Sequence, residues 1–335
     1  MKIFVDGIAG MIGAHLAKTL LEQGHEVSGL DNFNDYYDPQ LKRDRVAALI
    51  PNVPILEGDI NDITAAYFVH DKPNLVIHLA AYANPRHSLI DPYSYIETNI
   101  QGTQRLIDAC EEAGIDNVIY ASSSCVMHGQ PLPWNETDKP ELPNNMYGIS
   151  KRANEAQFEV SKIKRKCGLR FFTVYGEWGR PDMALFLFTD AMLHDKPITV
   201  YNNGEMKRDF TYVGDIVQGI ISLINVKYLS NKEKFLGGIS INHLNLKKPE
   251  DINFNEIYNI GYGEQVDLMD FIREISIATK KDPILHFAPK HPADVLATWS
   301  NTKKLRYETG WSPSTPISEG VKSFIDWYKK YYQMN

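Results

Sequence analysis

Cysteine is scarce: the chain has three, Cys110, Cys125 and Cys167, odd in number and widely spaced. That pattern supports neither a disulfide framework nor a CxxC metal site, and it fits a reducing cytoplasm. Long apolar runs are also missing. Stretches such as Met183 to Phe188 fall far short of the roughly 18 residues a membrane helix needs, so no transmembrane segment is expected. Positive charge is in deficit, with 35 Lys and Arg against 42 Asp and Glu for a net charge of −7. No dense basic cluster stands out, and nucleic acid is not an expected partner. Internal repeats and low-complexity segments are lacking. The start, MKIFVDGIAGMIG, is broken by Asp6 and three glycines and is followed by no A-x-A-like cleavage site. It reads as a strand and a turn, not as a signal peptide. What is present is ordinary for a globular protein: 43% apolar and 23% charged residues over 335 positions. That length suits one large α/β unit or about two domains.

Short β-rich runs alternate with segments of helical period: KIFV, a helix from about Met11 to Gln23, VSGL, and later LVIHLA, NVIYAS and LRFFTVYG. This is the βαβ rhythm, and the continuous apolar strands imply a parallel sheet covered by helices on both faces. The expected fold is α/β, a doubly wound parallel (Rossmann) sheet with a smaller mixed α/β substrate-binding domain. The first helix carries Ile12, Leu16, Ala17, Leu20 and Leu21 on one stripe, with Gly24 where a C-cap belongs. After Gly176 the rhythm breaks, and helices are expected at 182–195, 213–225, 267–279 and 317–333. The sheet domain is therefore placed at 1–175, with returning segments near 208–226 and 256–262, and the second domain at 176–207 and 263–335. Lys227 to Asn255 reads as a surface insertion with no assigned function.

Gly7, Gly10 and Gly13 follow the first strand and open the first helix, where a pyrophosphate can meet backbone N–H groups and a helix N-terminus. The spacing is GxxGxxG, a departure from the GxGxxG fingerprint, and the context of strand, turn and helix carries the signal. Asp31 closes the second strand, where a carboxylate can accept from an adenosine ribose and repel a 2′-phosphate, so NAD is expected over NADP. Asp59, after a third strand, is placed to reach an adenine amino group. Asp6 sits awkwardly beside the phosphate loop unless it turns to a backbone donor or a solvent pocket.

Tyr147 and Lys151 are four residues apart, one turn on the same helical face. A cation beside a phenol favours the phenolate, bringing a group of free pKa about 10 nearer the range useful to a general base. Ser123, in YASSSC at the end of a strand 24 residues earlier, can hydrogen-bond a reacting oxygen.

With these residues assembled, the chain resembles the extended short-chain dehydrogenase/reductases, and among them the nucleotide-sugar epimerases. The resemblance covers nearly the whole length: the glycine loop, Asp31, HLAA at 78–81, TNIQGT around Asn99, YASSS, Tyr147 with Lys151 and RDFTYVGDIV at 208–217 stand in the family's order. LDNFNDYYD at 30–38 and FFTVYGEWGRPDMALFLFT at 171–189 are similar to UDP-glucuronate 4-epimerases. The resemblance implies tightly bound NAD+ that takes the sugar C4 hydride and returns it to the other face of a 4-keto sugar, so that no net redox occurs. Tyr147 is then the acid/base, with Lys151 and Ser123 beside it. Cofactor contacts are implied at Gly7, Gly10, Ile12, Gly13, Asp31, Asn32, Asp59, Ile60, Leu79, Ala80, Ala81, Asn99, Tyr147 and Lys151. Oxidation at C4 makes the C5 carboxylate a β-keto acid prone to lose carbon dioxide, so the site must hold it. Arg180 as a bidentate partner, with Thr173 and Ser124, is the implied cradle, and Arg86 is a second candidate cation. Arg208 matches the family's diphosphate-binding arginine and Asp294 its ribose-binding acid, with ITVYN at 198–202 beside the uracil. A homodimer through helices near 91–113 and 147–166 is also implied.

Departures from the family pattern are Val126-Met127-His128-Gly129 in place of V-Y-G, Cys125 where a serine is usual, Ala-Asn-Pro before Arg86 where a glycine is usual, and His291 in place of an arginine. These leave open another UDP-hexose epimerase. Two lyase readings also stand: a dehydratase needs an Asp-Glu pair where Ser124 and Cys125 stand, and a uronate decarboxylase a Glu at Cys125. A non-enzymatic NAD-binding sensor or scaffold is the remaining alternative, although Tyr147 and Lys151 are both intact.

Overall fold

The computed structural model describes residues 1–69, 72–139, 143–228, 235–236, 239–240 and 255–334, so most of the stretch read as an insertion lies outside the described residues. The strands β1 (Lys2–Asp6), β2 (Glu26–Asp31), β3 (Ile55–Glu57), β4 (Leu75–His78), β5 (Asn117–Ser123) and β6 (Arg165–Phe171) join Asn255–Ile260 in one sheet. Its order is Asn255–Ile260, β6, β5, β4, β1, β2, β3, and every pairing is parallel. The order turns around at β1, which lies between β2 and β4; open α/β sheets bind ligands at the strand ends beside such a switch point.

Residues two apart on a strand share a face, and the core divides accordingly. Ile3, Val5, Leu75, Ile77 and Ile119 point to the side covered by the helix α1 (Met11–Glu22) and by Val213–Tyr228. Phe4, Val76, Val118 and Tyr120 point to the other side, where they meet Leu106, Ile107 and Phe158. A further apolar cluster sits off the sheet, built by Phe186, Met192, Ile198, Phe210, Phe271, Ile275, Phe324 and Tyr328. It surrounds the parallel strand pair Pro197–Tyr201 and Ile284–Ala288, and its Phe210 and Phe271 rings stack at 4.0 Å. The chain returns from this cluster to the sheet through Val213–Tyr228 and Asn255–Ile260.

Two helices flank the open end of the sheet and differ from expectation. Residues expected to form one helix near 91–113 run as Pro92–Ser94, a π-helical stretch Tyr95–Gly102, and Thr103–Ala113; π-helical turns are rare and gather at functional sites. The next helix, Met146–Val160, stops short of 166, and β6 begins earlier than the apolar run LRFF predicts. Lys166 accounts for this, because its buried ammonium donates to the carbonyls of Glu159 (3.0 Å) and Ser161 (2.9 Å) and so closes the helix C-terminus from the first turns of the strand.

Met146–Val160 is tied to the sheet by a buried ion pair. Arg170 on β6 donates from Nε to Glu155 Oε1 at 2.8 Å and from Nη2 to Oε2 at 3.1 Å, and Ser122 on β5 donates to the same carboxylate at 2.7 Å. The Arg170 and Glu155 side chains are only 3% and 2% exposed. Burial works against the charge on Glu155, but Arg170 and the Ser122 and Arg152 hydrogen bonds outweigh it and hold the carboxyl below the usual glutamate range. A carboxyl held low stabilises the fold above its unfolded value of about 4.3 and loses that contribution as pH falls through its native value. Glu155→Gln is expected to lower the urea unfolding free energy at pH 7 by about 3–5 kcal/mol, because Arg170 is left charged and unpaired. Adding Arg170→Met should recover most of that loss, and the single variant's deficit should shrink below about pH 4.

Candidate functional site

The glycine loop leaves β1 at the switch point. Gly7 has φ +64°, and a Cβ there would stand 2.7 Å from the Ala80 amide nitrogen; one on Gly13 would stand 2.5 Å from the Gly7 carbonyl. The glycines therefore let the loop lie against the end of β4 and let α1 seat on the loop. Gly10 caps α1 without a side-chain hydrogen bond, and the first turn carries no acid. Its N–H groups and the positive end of the helix dipole suit an anion such as a pyrophosphate. Asp6, fully buried, turns away from this loop. Its Oδ1 accepts from the amides of Leu79 (2.8 Å) and Ala80 (2.7 Å), and the carboxylate also meets His78 Nδ1 at 2.8 Å. The repulsion read from the sequence is thereby replaced by a clamp on the β4 loop.

A cleft with about 720 Å³ of open space runs from the loop along the ends of β2 and β4, lined by Gly7, Gly10, Asp31, Asn32, Ile60, Leu79, Ala80 and Ala81 among the expected residues. Asp31 is buried with one oxygen on the Ala9 amide (3.0 Å) and the other on the Phe33 amide (2.9 Å). Burial raises its pKa against those hydrogen bonds and the nearby Lys42 and Arg45 charges. Ile12, Gly13, Asp59, Asn99, Tyr147 and Lys151 do not line the cleft. Asp59 turns to Asn32 (2.9 Å) and to the amide and side chain of Asn61 (both 2.9 Å), capping a short helix, and its neighbours Gly58 and Ile60 face the cleft instead. The Asn99 amide group bonds the Tyr82 amide, the Tyr82 carbonyl and Ser150 Oγ, each at 2.9 Å, so it fastens the β4 loop to Met146–Val160.

Sequence reasoning missed Asn34, Tyr36, Tyr37, Lys42, Tyr82 and Thr98 on the lining. Lys42 lies on the helix Pro39–Leu49 and reads in sequence as a solvated charge. In the fold its ammonium is buried against the Asn34 carbonyl (2.9 Å) and side chain (2.8 Å). The aromatic run NDYYD around Tyr36 and Tyr37 was the available signal.

Asn145 caps Met146–Val160 by accepting from the Gly148 amide at 2.9 Å, which sets Tyr147 and Lys151 on the face toward the end of β5. Desolvation pushes the Tyr147 phenol up to about 12, with Cys125 adding to the rise; its hydrogen bond with Ser123 and the charge of Arg180 oppose it. The Lys151 ammonium donates to the Ala121 carbonyl at 3.0 Å, and burial lowers it to about 8, against a smaller upward pull from Asp6. A buried ammonium requires an acceptor, Lys151 finds it on β5, and the phenol is governed by desolvation, Ser123 and Arg180.

Of the expected sugar and nucleotide residues, Arg180 lines the cleft and the other five do not. Arg180 does not present a free bidentate edge: its Nε and Nη2 hold the two oxygens of Asp182 at 2.9 and 3.0 Å. Arg86 is likewise engaged, donating to both oxygens of Asp294 at 3.1 and 2.8 Å, with its guanidinium 4.1 Å over the Tyr201 ring. Arg208 donates to the Lys207 carbonyl at 2.8 Å; burial lowers its pKa while Asp294 and Cys125 raise it. Ser124 is buried, and the Thr173 amide is bound to the Asp209 carbonyl at 3.1 Å. No group of three or more His, Cys, Asp or Glu suited to a metal occurs among the described residues, and no helix among them is long and apolar enough to cross a membrane.

Residues 3–235 match the model of a family described as NAD dependent epimerase/dehydratase. The chain is 39% identical, over 99% of its length and the whole of the relative's, to Protein CapI of Staphylococcus aureus. It is 35% identical to UDP-glucuronate 4-epimerase 4 of Arabidopsis thaliana, over 99% of this chain and 76% of that protein. Among solved structures, a UDP-glucuronic acid 4-epimerase from Bacillus cereus in complex with UDP-glucuronic acid and NAD superposes with a TM-score of 0.85 at 30% identity, covering 99% of this chain and 100% of that one. The parallel sheet with its glycine loop, the cleft at the switch point, and similarity that runs from end to end lead to one assignment: the chain belongs to the NAD dependent epimerase/dehydratase family.

Proposed function

We propose that the protein is an NAD-dependent 4-epimerase of UDP-sugars that interconverts UDP-glucuronate and UDP-galacturonate, with Tyr147 as its acid/base. The observation that carries this reading is the cleft at the switch point, lined by the glycine loop, Asp31 and Arg180, together with the helix of Tyr147 and Lys151, whose Lys151 ammonium is bound to the end of β5. The names of the Arabidopsis and Bacillus relatives support the choice of an acid sugar.

The glycine loop and the α1 N-terminus suit the dinucleotide pyrophosphate, and Asp31 suits its adenosine ribose. When bound there, NAD supplies the acceptor and donor of the sugar C4 hydride. Tyr147 exchanges a proton with the 4-oxygen while Ser123 steadies that oxygen. A phenol held near 12 keeps its proton at neutral pH, so it is set to return one; removal of a proton depends on positive charge, and Arg180 and Lys151 are the cations in place. Arg180, Thr173 and Ser124 hold the C5 carboxylate. Arg208 and Asp294 take the diphosphate and the uridine ribose, with Pro197–Tyr201 beside the base, and Asp294 exchanges its Arg86 partner for ribose hydroxyls as the nucleotide enters. On this reading residues 1–175 serve the cofactor and the cluster off the sheet serves the nucleotide sugar. Two copies pair through Pro92–Ala113 and Met146–Val160, where Tyr93, Ile96 and Ile149 are 72%, 40% and 44% exposed.

Proton NMR of UDP-glucuronate incubated with the purified protein should show UDP-galacturonate growing to an equilibrium mixture without carbon dioxide release. Tyr147→Phe should slow this by at least about 100-fold; accumulation of a pentose or a 4-keto sugar would contradict the epimerase reading. Lys151 titrates lower in the folded chain, about 8 against 10.5, so its burial penalty is full below pH 8 and fades as pH rises toward 10.5. The stability of the parent relative to Lys151→Met should therefore rise across that window, by up to about 3 kcal/mol in urea unfolding. Ile149→Lys should shift sedimentation from dimer to monomer.

A further inference from the structure

The Arg180 guanidinium is planar, with five N–H donors in a fixed fork. Asp182 occupies its Nε–Nη2 edge at 2.9 and 3.0 Å, and Nη2 also approaches the Ala83 carbonyl at 3.4 Å. Nη1 has no hydrogen-bond partner among the described residues. Asp182 is itself fixed: Oδ2 accepts from Asn84 Nδ2 at 2.6 Å and from the Tyr36 hydroxyl at 2.8 Å. Tyr36 follows β2, Asn84 follows β4, and Asp182 follows the strand Thr173–Tyr175, so one carboxylate ties three loops around the mouth of the cleft. Burial opposes the charge on Asp182, but Arg180, Asn84 and Tyr36 outweigh it and hold its carboxyl below the usual range.

We propose that Asp182 is a positioning residue that sets which end of Arg180 meets the sugar, and that it thereby decides whether the oxidised acid substrate is epimerised or decarboxylated. The inference rests on the uronate reading above. Once C4 is a ketone, the bond between C5 and the carboxylate carbon can break, its electron pair passing to C5 and into the C4 carbonyl as an enolate while carbon dioxide departs. A proton then returns to C5 to give a 4-keto pentose, with no change in oxidation beyond the first hydride transfer. Cleavage requires that bond to lie along the carbonyl π system. A guanidinium locked by Asp182 and offering only its Nη1 end can hold the carboxylate in one orientation, away from that alignment. Without Asp182 the guanidinium is free to swing and to pair bidentately in other orientations.

The test uses UDP-glucuronate carrying ¹³C in the carboxyl group and counts labelled carbon dioxide against UDP-galacturonate for each protein. The parent should epimerise with almost no label released. Asp182→Asn should raise the released fraction by about tenfold or more, and Asp182→Glu should restore much of the parent ratio. Tyr36→Phe, which keeps the carboxylate and removes one hydrogen bond to it, should move the ratio in the same direction by less; it also covers the case in which Asp182→Asn fails to fold. If the parent epimerises and both Asp182→Asn and Tyr36→Phe lower total turnover at an unchanged ratio, Asp182 is merely structural and the proposal is overturned, while the uronate reading stands. If the parent does not turn over UDP-glucuronate, both fall.

Discussion

Arg170 and Glu155 form the contact on which the geometry of the site depends. The pair is out of water, doubly hydrogen-bonded, and shared by β5, β6 and the helix Met146–Val160. A buried ion pair adds little net stability over well-packed apolar side chains, but breaking one is costly, so it acts as a registration pin. Four residues before Glu155 on the same helix stands Lys151, and four before that Tyr147, so the position of the phenol and the ammonium over the end of β5 follows from this anchor. The stacked rings of Tyr120 and Phe158 at 4.0 Å repeat the attachment with apolar surface.

A second strut joins the cofactor loop to the far side of the cleft. Arg45, fully buried on Pro39–Leu49, donates to the Ala9 carbonyl in the glycine loop and to the Trp178 carbonyl at 2.6 Å. Arg180 lies two residues beyond Trp178, and Asp182 two beyond that. The loop proposed to read the sugar acid is thus held at one end by the phosphate loop and at the other by Tyr36 and Asn84. Asp6, Arg45 and Glu155 share one logic: a charged side chain removed from water collects several hydrogen bonds, and those bonds fix the spacing of segments far apart in sequence.

Periodicity in the chain was enough to read the parallel sheet, because each strand that is buried on both faces must be apolar throughout and each crossover helix must carry one apolar stripe. The glycine loop was legible for a comparable reason, since close approach to Ala80 and to the loop's own carbonyl admits no side chain at Gly7 or Gly13. The end of Met146–Val160 was not legible, because Lys166 looks like a surface lysine until its ammonium is seen on the helix carbonyls. The π-helical turn around Asn99 leaves no mark in hydrophobic spacing either, because it is held by side-chain bonds to the β4 loop and to Ser150.

The residue types that can do the chemistry were set by sequence alone: Tyr147 and Lys151 share a helical face, Ser123 ends a strand, and Asp31 closes the second strand at the switch point. These are local facts, fixed by the period of a helix and the polarity of a sheet. Tertiary structure alone decided what each charge faces. Whether Lys151 meets Tyr147 or Ala121, whether Arg180 is free or held by Asp182, and whether Asp59 looks into the cleft or onto Asn32 depend on partners from distant loops. A buried charge pairs with whichever acceptor or donor the packed fold brings within about 3 Å, and no spacing along the chain records which one that is.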